Sequence, residues 1–195
     1  MTRGQPLILA SSSPYRRAVL KRLGLGFHWR SPDIDESSLP GEAPDDLVRR
    51  LSEAKAAAVA GKYSEGLVIG SDQVAVLGGR IIGKPADHDD ALGQLRAASG
   101  AVTVLHCGIA VLNAATGRMQ STVEHVEVEC RELADDDIEH YLATDAPYDC
   151  CGSLKVEGMG ISLLRRVRSD DPNAITGLPV IRLLGMLREE GFSLP

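Results

Sequence analysis

The sequence predicts an α/β protein, on three observations. Short apolar runs of strand length alternate along the chain with segments whose apolar residues recur at helical spacing. Serine, proline, aspartate and glycine stand at the junctions, where caps and turns use them. The 195 residues and a hydrophobic content of 44% suffice for a real core, in one large domain or two small ones. Aromatic residues make up only 4%, so leucine, valine, isoleucine and alanine must fill that core.

Leu7 to Ala10 reads as a first buried strand that runs straight into Ser11-Ser12-Ser13-Pro14. Ser13 is a good N-cap, and Pro14 suits the first helical position, where its missing N–H costs nothing. The helix carries Tyr15, Val19, Leu20 and Leu23 inward and stops near Gly24. A strand, a serine-rich turn and a helix N-terminus can cradle phosphate, because hydroxyls and backbone donors aim at one spot. Arg16 and Arg17 lie in the first turn, where cations oppose the helix dipole. Solvated arginines on a plain capped helix remain the alternative; the misplaced charges favour anion binding.

Phe27 to Ser31 reads as a second strand. Asp33, Asp35 and Glu36 then share a loop, as solvated carboxylates, metal ligands or a helper acid. Pro44 opens a second helix with Asp45 and Asp46 in its first turn. Its expected stripe is Leu47, Val48, Leu51, Ala54 and Ala58, with Arg49, Arg50 and Glu53 outward. Lys55 falls four residues after Leu51, on or beside that stripe. A lysine there must snorkel to solvent or meet an anion.

The chain is organised around Val68 to Pro85. Leu67-Val68-Ile69 is a buried-strand run, followed by a flexible Gly70-Ser71 and then Asp72. Val74 to Leu77 continues, Gly78-Gly79 signals a two-residue hairpin, and Ile81-Ile82 returns to Gly83-Lys84-Pro85. Asp72 can take a proton or hold a metal, and Lys84 can neutralise phosphate. An ordinary solvated hairpin is the alternative.

Asp87 or Asp89 caps a helix with Ala91, Leu92, Leu95 and Ala98 inward, closed by Gly100. Val102 to Leu112 and Met119 to Cys130 are strands separated by turn residues Asn113 to Gly117. Val126, Val128 and Cys130 alternate with Glu127 and Glu129, the pattern of a strand buried on one face. A helix starts at Asp135 to Asp137 with Ile138, Tyr141 and Leu142 inward. Pro147 to Gly160 reads as a glycine-rich loop, Ile161 to Val167 as a strand, and Gly177-Leu178-Pro179 as the entry to a last helix ending at Gly191.

The net charge of −6 argues against a nonspecific nucleic-acid binder. Cys107, Cys130, Cys150 and Cys151 lack zinc-site spacing, and an adjacent pair is a poor structural disulfide; they read as reduced thiols of a cytoplasmic protein. The apolar run Pro6 to Ala10 is too short for a signal-peptide core or a membrane span. The five histidines show no metal-ligand spacing.

Together these segments resemble the Maf family of nucleoside triphosphate pyrophosphatases over nearly the whole chain. The carriers, in order, are LASSSPYRR at 9–17, IDE at 34–36, EAKA around Lys55, GSDQV around Asp72, GKP at Lys84, DCCGSLKVEGMGI and GLPVIRLLGML. The resemblance implies a single domain over residues 1–195: an α/β fold with an elongated, curved mixed sheet, flanking helices and a central nucleotide cleft. It implies hydrolysis between the α and β phosphates with a divalent metal, magnesium, manganese or cobalt. It assigns Asp72 as proton acceptor, directly or by holding metal, with Glu36 as the second metal acid. Ser11, Ser13, Arg16, Lys55 and Lys84 would hold the polyphosphate.

Tyr15, Gln73 and Glu157 at the base-facing positions resemble the branch acting on 7-methyl-GTP rather than the dTTP/UTP branch, which has arginine, threonine and glutamine there. The methylated guanine is cationic, so stacking on Tyr15 gains a cation–π term. Glu157 can accept hydrogen bonds from the guanine edge and favours its charge. Cys151 departs from the family pattern, standing where a small, alanine-like residue is expected. The partner expected is a small-molecule nucleotide, with neither nucleic acid nor membrane; a homodimer is allowed by the sequence and not read from it. The alternatives are a dTTP/UTP pyrophosphatase and a non-enzymatic regulator of septum formation or cell division.

Overall fold

A mixed, open sheet of seven strands runs through the fold, with five α-helices around it, in a computed structural model that describes residues 5–193. In chain order these are β1 (Leu7–Ala10), α1 (Pro14–Arg22), β2 (His28–Arg30), α2 (Pro44–Ala60), β3 (Leu67–Leu77) and β4 (Arg80–Ile82). There follow α3 (His88–Ala98), β5 (Val102–Asn113), β6 (Met119–Cys130), α4 (Asp135–Asp145), β7 (Leu164–Arg168) and α5 (Val180–Glu189). The strand order is β2-β1-β3-β5-β6-β7, with β4 paired to β3. β1 is parallel to both β2 and β3, whereas β3/β4 and β6/β7 are antiparallel. The α/β class and the mixed sheet expected from the sequence are present.

The chain forms two compact units. One takes residues 5–72, 107–124 and 171–193; the other takes 73–106 and 125–170. In the first, Leu7, Leu9, Leu67, Ile69, Ile109 and Val111 of the sheet pack with Val19 and Leu20 of α1 and Leu183 and Leu187 of α5. Ile8, Val68 and Ala110 pack with Ala56 and Val59 of α2. Alternate residues of β1 therefore serve two cores, which is why all four are apolar. In the second unit, Ala91 and Leu95 of α3 pack with Ile138, Tyr141 and Leu142 of α4 and with Leu163. Among the described residues, no helix is long and apolar enough to cross a membrane.

Most boundaries follow the sequence expectation. Ser13 caps α1 by accepting from the Arg16 N–H, Asp87 caps α3, and Gly78 and Gly79 both take positive φ in the hairpin turn. Three expectations change. Gly70-Ser71 is not a flexible break: β3 is continuous from Leu67 to Leu77, and both residues are buried in it. The glycine is there for proximity, since a Cβ at Gly70 would run into the Ser52 carbonyl of α2. Gly108 on β5 plays the same part against the Val48 carbonyl and the Ser52 hydroxyl. The buried face of α2 is also rotated from the expected stripe, carrying Ser52, Ala56 and Val59 beside Leu47, Val48 and Leu51. Ser52 is tolerated inside because its hydroxyl donates to Val48 O at 2.6 Å. The segment 147–163 is less irregular than expected: Cys151–Ser153 and Met159–Leu163 are 3-10 turns, and β7 begins only at Leu164.

Candidate active site

Lys55 and Asp72 form the centre of the first unit's polar constellation. Lys55 lies on the buried face of α2, and Asp72 is buried on β3. The Lys55 ammonium donates to Asp72 Oδ1 at 2.6 Å and pairs with Glu36 Oε1 at 3.0 Å. An inward lysine thus meets two carboxylates, one buried and one largely exposed, its side chain at 57%. The lysine found on Asp72 is Lys55, seventeen residues earlier in the chain. No periodicity argument joins those two positions, because the pairing depends on α2 lying against the glycine backbone of β3 and β5.

Glu36 reaches this point from a loop without regular structure, pinned on either side. Asp35 accepts from the Ser37 N–H at 2.9 Å. Arg50 of α2 donates to Ser37 O at 3.0 Å and grips Glu42 with two guanidinium nitrogens. Glu42 also accepts from the Leu39 N–H. The Arg50 contact, with the Leu39 N–H, holds the Glu42 carboxyl down at about 2.

The α1 N-terminus completes this unit's set. Ser11 is buried, and its hydroxyl accepts from the Ser13 N–H at 3.1 Å. Ser13 Oγ accepts from the Arg16 N–H at 3.4 Å. The Arg16 guanidinium is anchored by backbone carbonyls: Nε donates to Gly177 O at 2.9 Å and Nη1 to Ser71 O at 2.7 Å. Arg17 instead lies over the Trp29 ring at 4.2 Å. Of the two first-turn arginines, then, one stacks at the surface and the other is held beside the residue preceding Asp72. Tyr15, in the same turn, is half-buried.

Gln73, Lys84 and Glu157 belong to the second unit. Gln73 is half-buried on β3, and its carbonyl accepts from Cys151 Sγ. Lys84 is exposed in the bend after β4, beside Gly83, whose carbonyl accepts from the Gly152 N–H at 3.0 Å. Glu157 is exposed by surface area, yet desolvation by the surrounding protein pushes its carboxyl above the usual range, against the pull of Lys155. Its loop is tied to α4. Tyr141 donates its hydroxyl proton to Ser153 O at 3.0 Å and accepts from the Lys155 N–H at 2.8 Å. Lys155 Nζ donates to Asp145 O, and Asp145 Oδ2 accepts from the Gly160 N–H. Burial pushes the Tyr141 phenol up, so it stays a donor. Sequence reading placed Tyr141 only in a core stripe; its role in holding this loop had no local signal.

A serine-rich turn that caps a helix, a guanidinium held by carbonyls and a buried ammonium between two carboxylates are the polar features this α/β fold gathers in its first unit. The family model described as Maf-like protein matches residues 6–190, and the chain belongs to that family. It is 50% identical over 186 residues to a protein of Nitrosococcus oceani named 7-methyl-GTP pyrophosphatase, covering 95% of this chain and 94% of that one. Proteins of the same name from Pseudomonas syringae pv. tomato and Pseudomonas aeruginosa are 52% and 51% identical, each over 97% of this chain and 98% of theirs.

Proposed function

We propose that this chain is a nucleoside triphosphate pyrophosphatase that hydrolyses 7-methyl-GTP to 7-methyl-GMP and diphosphate. The observation that carries the reading is the Glu36–Lys55–Asp72 constellation, with Arg16 bonded to the carbonyl of the residue before Asp72. Relatives about half identical over nearly the full chain bear that enzyme's name, which supports the same reaction here.

In this reading the water oxygen bonds to the α-phosphorus while the bond to the oxygen bridging the β-phosphorus breaks. Diphosphate leaves with that oxygen. A water proton passes to Asp72. Lys55 occupies Oδ1, so Oδ2, which has no hydrogen-bond partner among the described residues, would be the oxygen to accept it. Ser11, Ser13, Arg16, Lys55 and Lys84 hold and neutralise the phosphates.

A divalent cation, magnesium, manganese or cobalt, fits the donor type, because Glu36 and Asp72 offer hard carboxylate oxygens on either side of Lys55. Glu36 and Asp72 would hold it, and when bound it supplies charge neutralisation at the triphosphate. Tyr15 and Glu157 would recognise the cationic methylated base, one by stacking and one by accepting hydrogen bonds, with Gln73 as the third member of the specificity set. Residues 1–195 are proposed as one functional domain, in keeping with a family match spanning 6–190. Four free cysteines suit a cytoplasmic location, and the negative net charge suits a small nucleotide partner rather than nucleic acid.

Pyrophosphate release from 7-methyl-GTP, GTP, dTTP, UTP, CTP and ATP with magnesium, manganese or cobalt tests the reading. Turnover should be strongest with 7-methyl-GTP, and Asp72→Asn should lower kcat by roughly 10²–10⁴-fold while nucleotide binding survives. Preference for UTP or dTTP would keep the chemistry and overturn the base assignment. No turnover with any nucleotide would shift the function to regulation by binding.

A further inference from the structure

We infer that Ser71 is a positioning residue for Arg16, acting through the Gly177 carbonyl. The inference rests on the proposed role of Arg16 in holding polyphosphate.

A guanidinium carries five N–H donors in one rigid plane. Two of those in Arg16 are committed to Gly177 O and Ser71 O, at 2.9 and 2.7 Å. Two anchors from different strands of chain fix the plane, and the other three N–H groups have no partner among the described residues. An arginine on a flexible side chain would lose rotamer freedom each time an anion bound, whereas this one has lost it already. The positioning therefore depends on how firmly the two carbonyls are themselves held.

The Ser71 carbonyl is fixed by its place in β3. The Gly177 carbonyl lies outside the sheet, in the segment between the 3-10 turn Ala174–Thr176 and α5. What reaches it there is the Ser71 hydroxyl, 2.7 Å away, in a side chain with no exposed area. The same hydroxyl is 2.8 Å from Gly108 O, so its single proton bridges a strand carbonyl and a loop carbonyl. Gly177 O thus accepts from two sides, from Ser71 Oγ and Arg16 Nε.

The remainder of the segment is tied down in ways that leave the Gly177 carbonyl pointing at Arg16. Asp171, buried, accepts from the Asn173 and Ile181 N–H groups across the segment. Cys107 Sγ donates to Ala174 O. Arg22, two turns along α1 from Arg16, donates to the Asn173 side chain. Gly177 itself stands at φ +82°, a conformation that side chains rarely adopt, and that backbone turns its carbonyl. Ser71 contributes from its side chain the part of this arrangement that a substitution can remove without touching the backbone.

The test is a double-mutant cycle of Ser71→Ala and Arg16→Ala. It is read as the affinity for inorganic tripolyphosphate by titration calorimetry and as KM and kcat with 7-methyl-GTP. With Arg16 present, Ser71→Ala should weaken tripolyphosphate binding and raise KM about 5- to 10-fold, the size of one hydrogen bond's contribution, with kcat within about threefold. In the Arg16→Ala background the same change should have less than about a twofold effect, because nothing remains to be positioned. If Ser71→Ala fails to fold by circular dichroism, Ser71→Cys, with similar volume and a weaker donor, takes its place in the cycle. An Arg16→Ala effect with Ser71 either silent or additive in both backgrounds would overturn the inference and leave the phosphate role of Arg16 standing. No effect of Arg16→Ala on either readout would remove that phosphate role, and the inference with it.

Discussion

Two loops, one irregular and one set between two 3-10 turns, carry the carboxylates assigned to metal and to base, and they are held in different ways. The loop bearing Glu36 is pinned by charge, between a partly exposed Arg50 and a largely covered Glu42. Arg50 grips Glu42 and Ser37, and Glu42 and Asp35 each take a backbone N–H. The loop bearing Glu157 is pinned by a neutral, buried group, the Tyr141 hydroxyl set between Ser153 and Lys155 at 2% exposure. An ion pair with one partner open to water adds modestly to stability, but it can fix geometry and still yield to a ligand. A buried hydroxyl with both partners satisfied is costly to remove, because its partners are then left unpaired away from water. The first device suits the metal role proposed for Glu36; the second suits the base-recognition role proposed for Glu157.

The largest contrast is expected from Tyr141→Phe. It strips a donor and an acceptor from a buried site and should cost about 2–4 kcal/mol in urea denaturation. A loss under about 0.5 kcal/mol would mean that water replaces the phenol, and the contrast between the loops would disappear.

Glu42→Gln should do the reverse. The urea midpoint should move less than in Tyr141→Phe, while the divalent-cation concentration for half-maximal turnover rises by about two- to fivefold as the Glu36 loop loosens. A variant that lost stability without a change in cation demand would place the Glu42–Arg50 pair in the fold rather than in service of Glu36.

The smallest effect is spectroscopic. The Glu42 carboxyl lies at about 2, below its ordinary 4.5, so the stabilisation it brings is complete above pH 4.5 and is lost as pH falls through about 2. The Leu39 amide resonance, bonded to that carboxylate, should therefore titrate near pH 2. A midpoint near 4.5 would show that the clamp is not formed in solution.

Much of the frame was legible in the residues. Ser13-Pro14, Gly78-Gly79 and Asp87 are local devices whose chemistry acts within four residues, and each does what its type requires. The candidate site was legible as a set of residue types but not as a set of contacts. Lys55 was recognisable as a lysine on an apolar stripe, yet its partner lies on another element. Gly70-Ser71 was misread because a glycine needed for close approach and a glycine needed for flexibility look alike in sequence. Ser71 and Tyr141 gave no signal, since a serine in a turn-like stretch and a tyrosine in a helical stripe each have a sufficient local explanation. Ile161 to Leu163 have the composition of a strand, but the chain closes a 3-10 turn there before β7 begins.

Two missing β-carbons set the distance from Lys55 to Asp72. α2 settles onto β3 and β5 because Gly70 and Gly108 leave room for the carbonyls of Ser52 and Val48. In a survey of every single substitution, these two positions would behave like members of the catalytic set. Even alanine would lever the helix away and take the ammonium with it, though neither glycine touches substrate. Intolerance to change would then mark the surface on which the helix rests as sharply as it marks the chemistry.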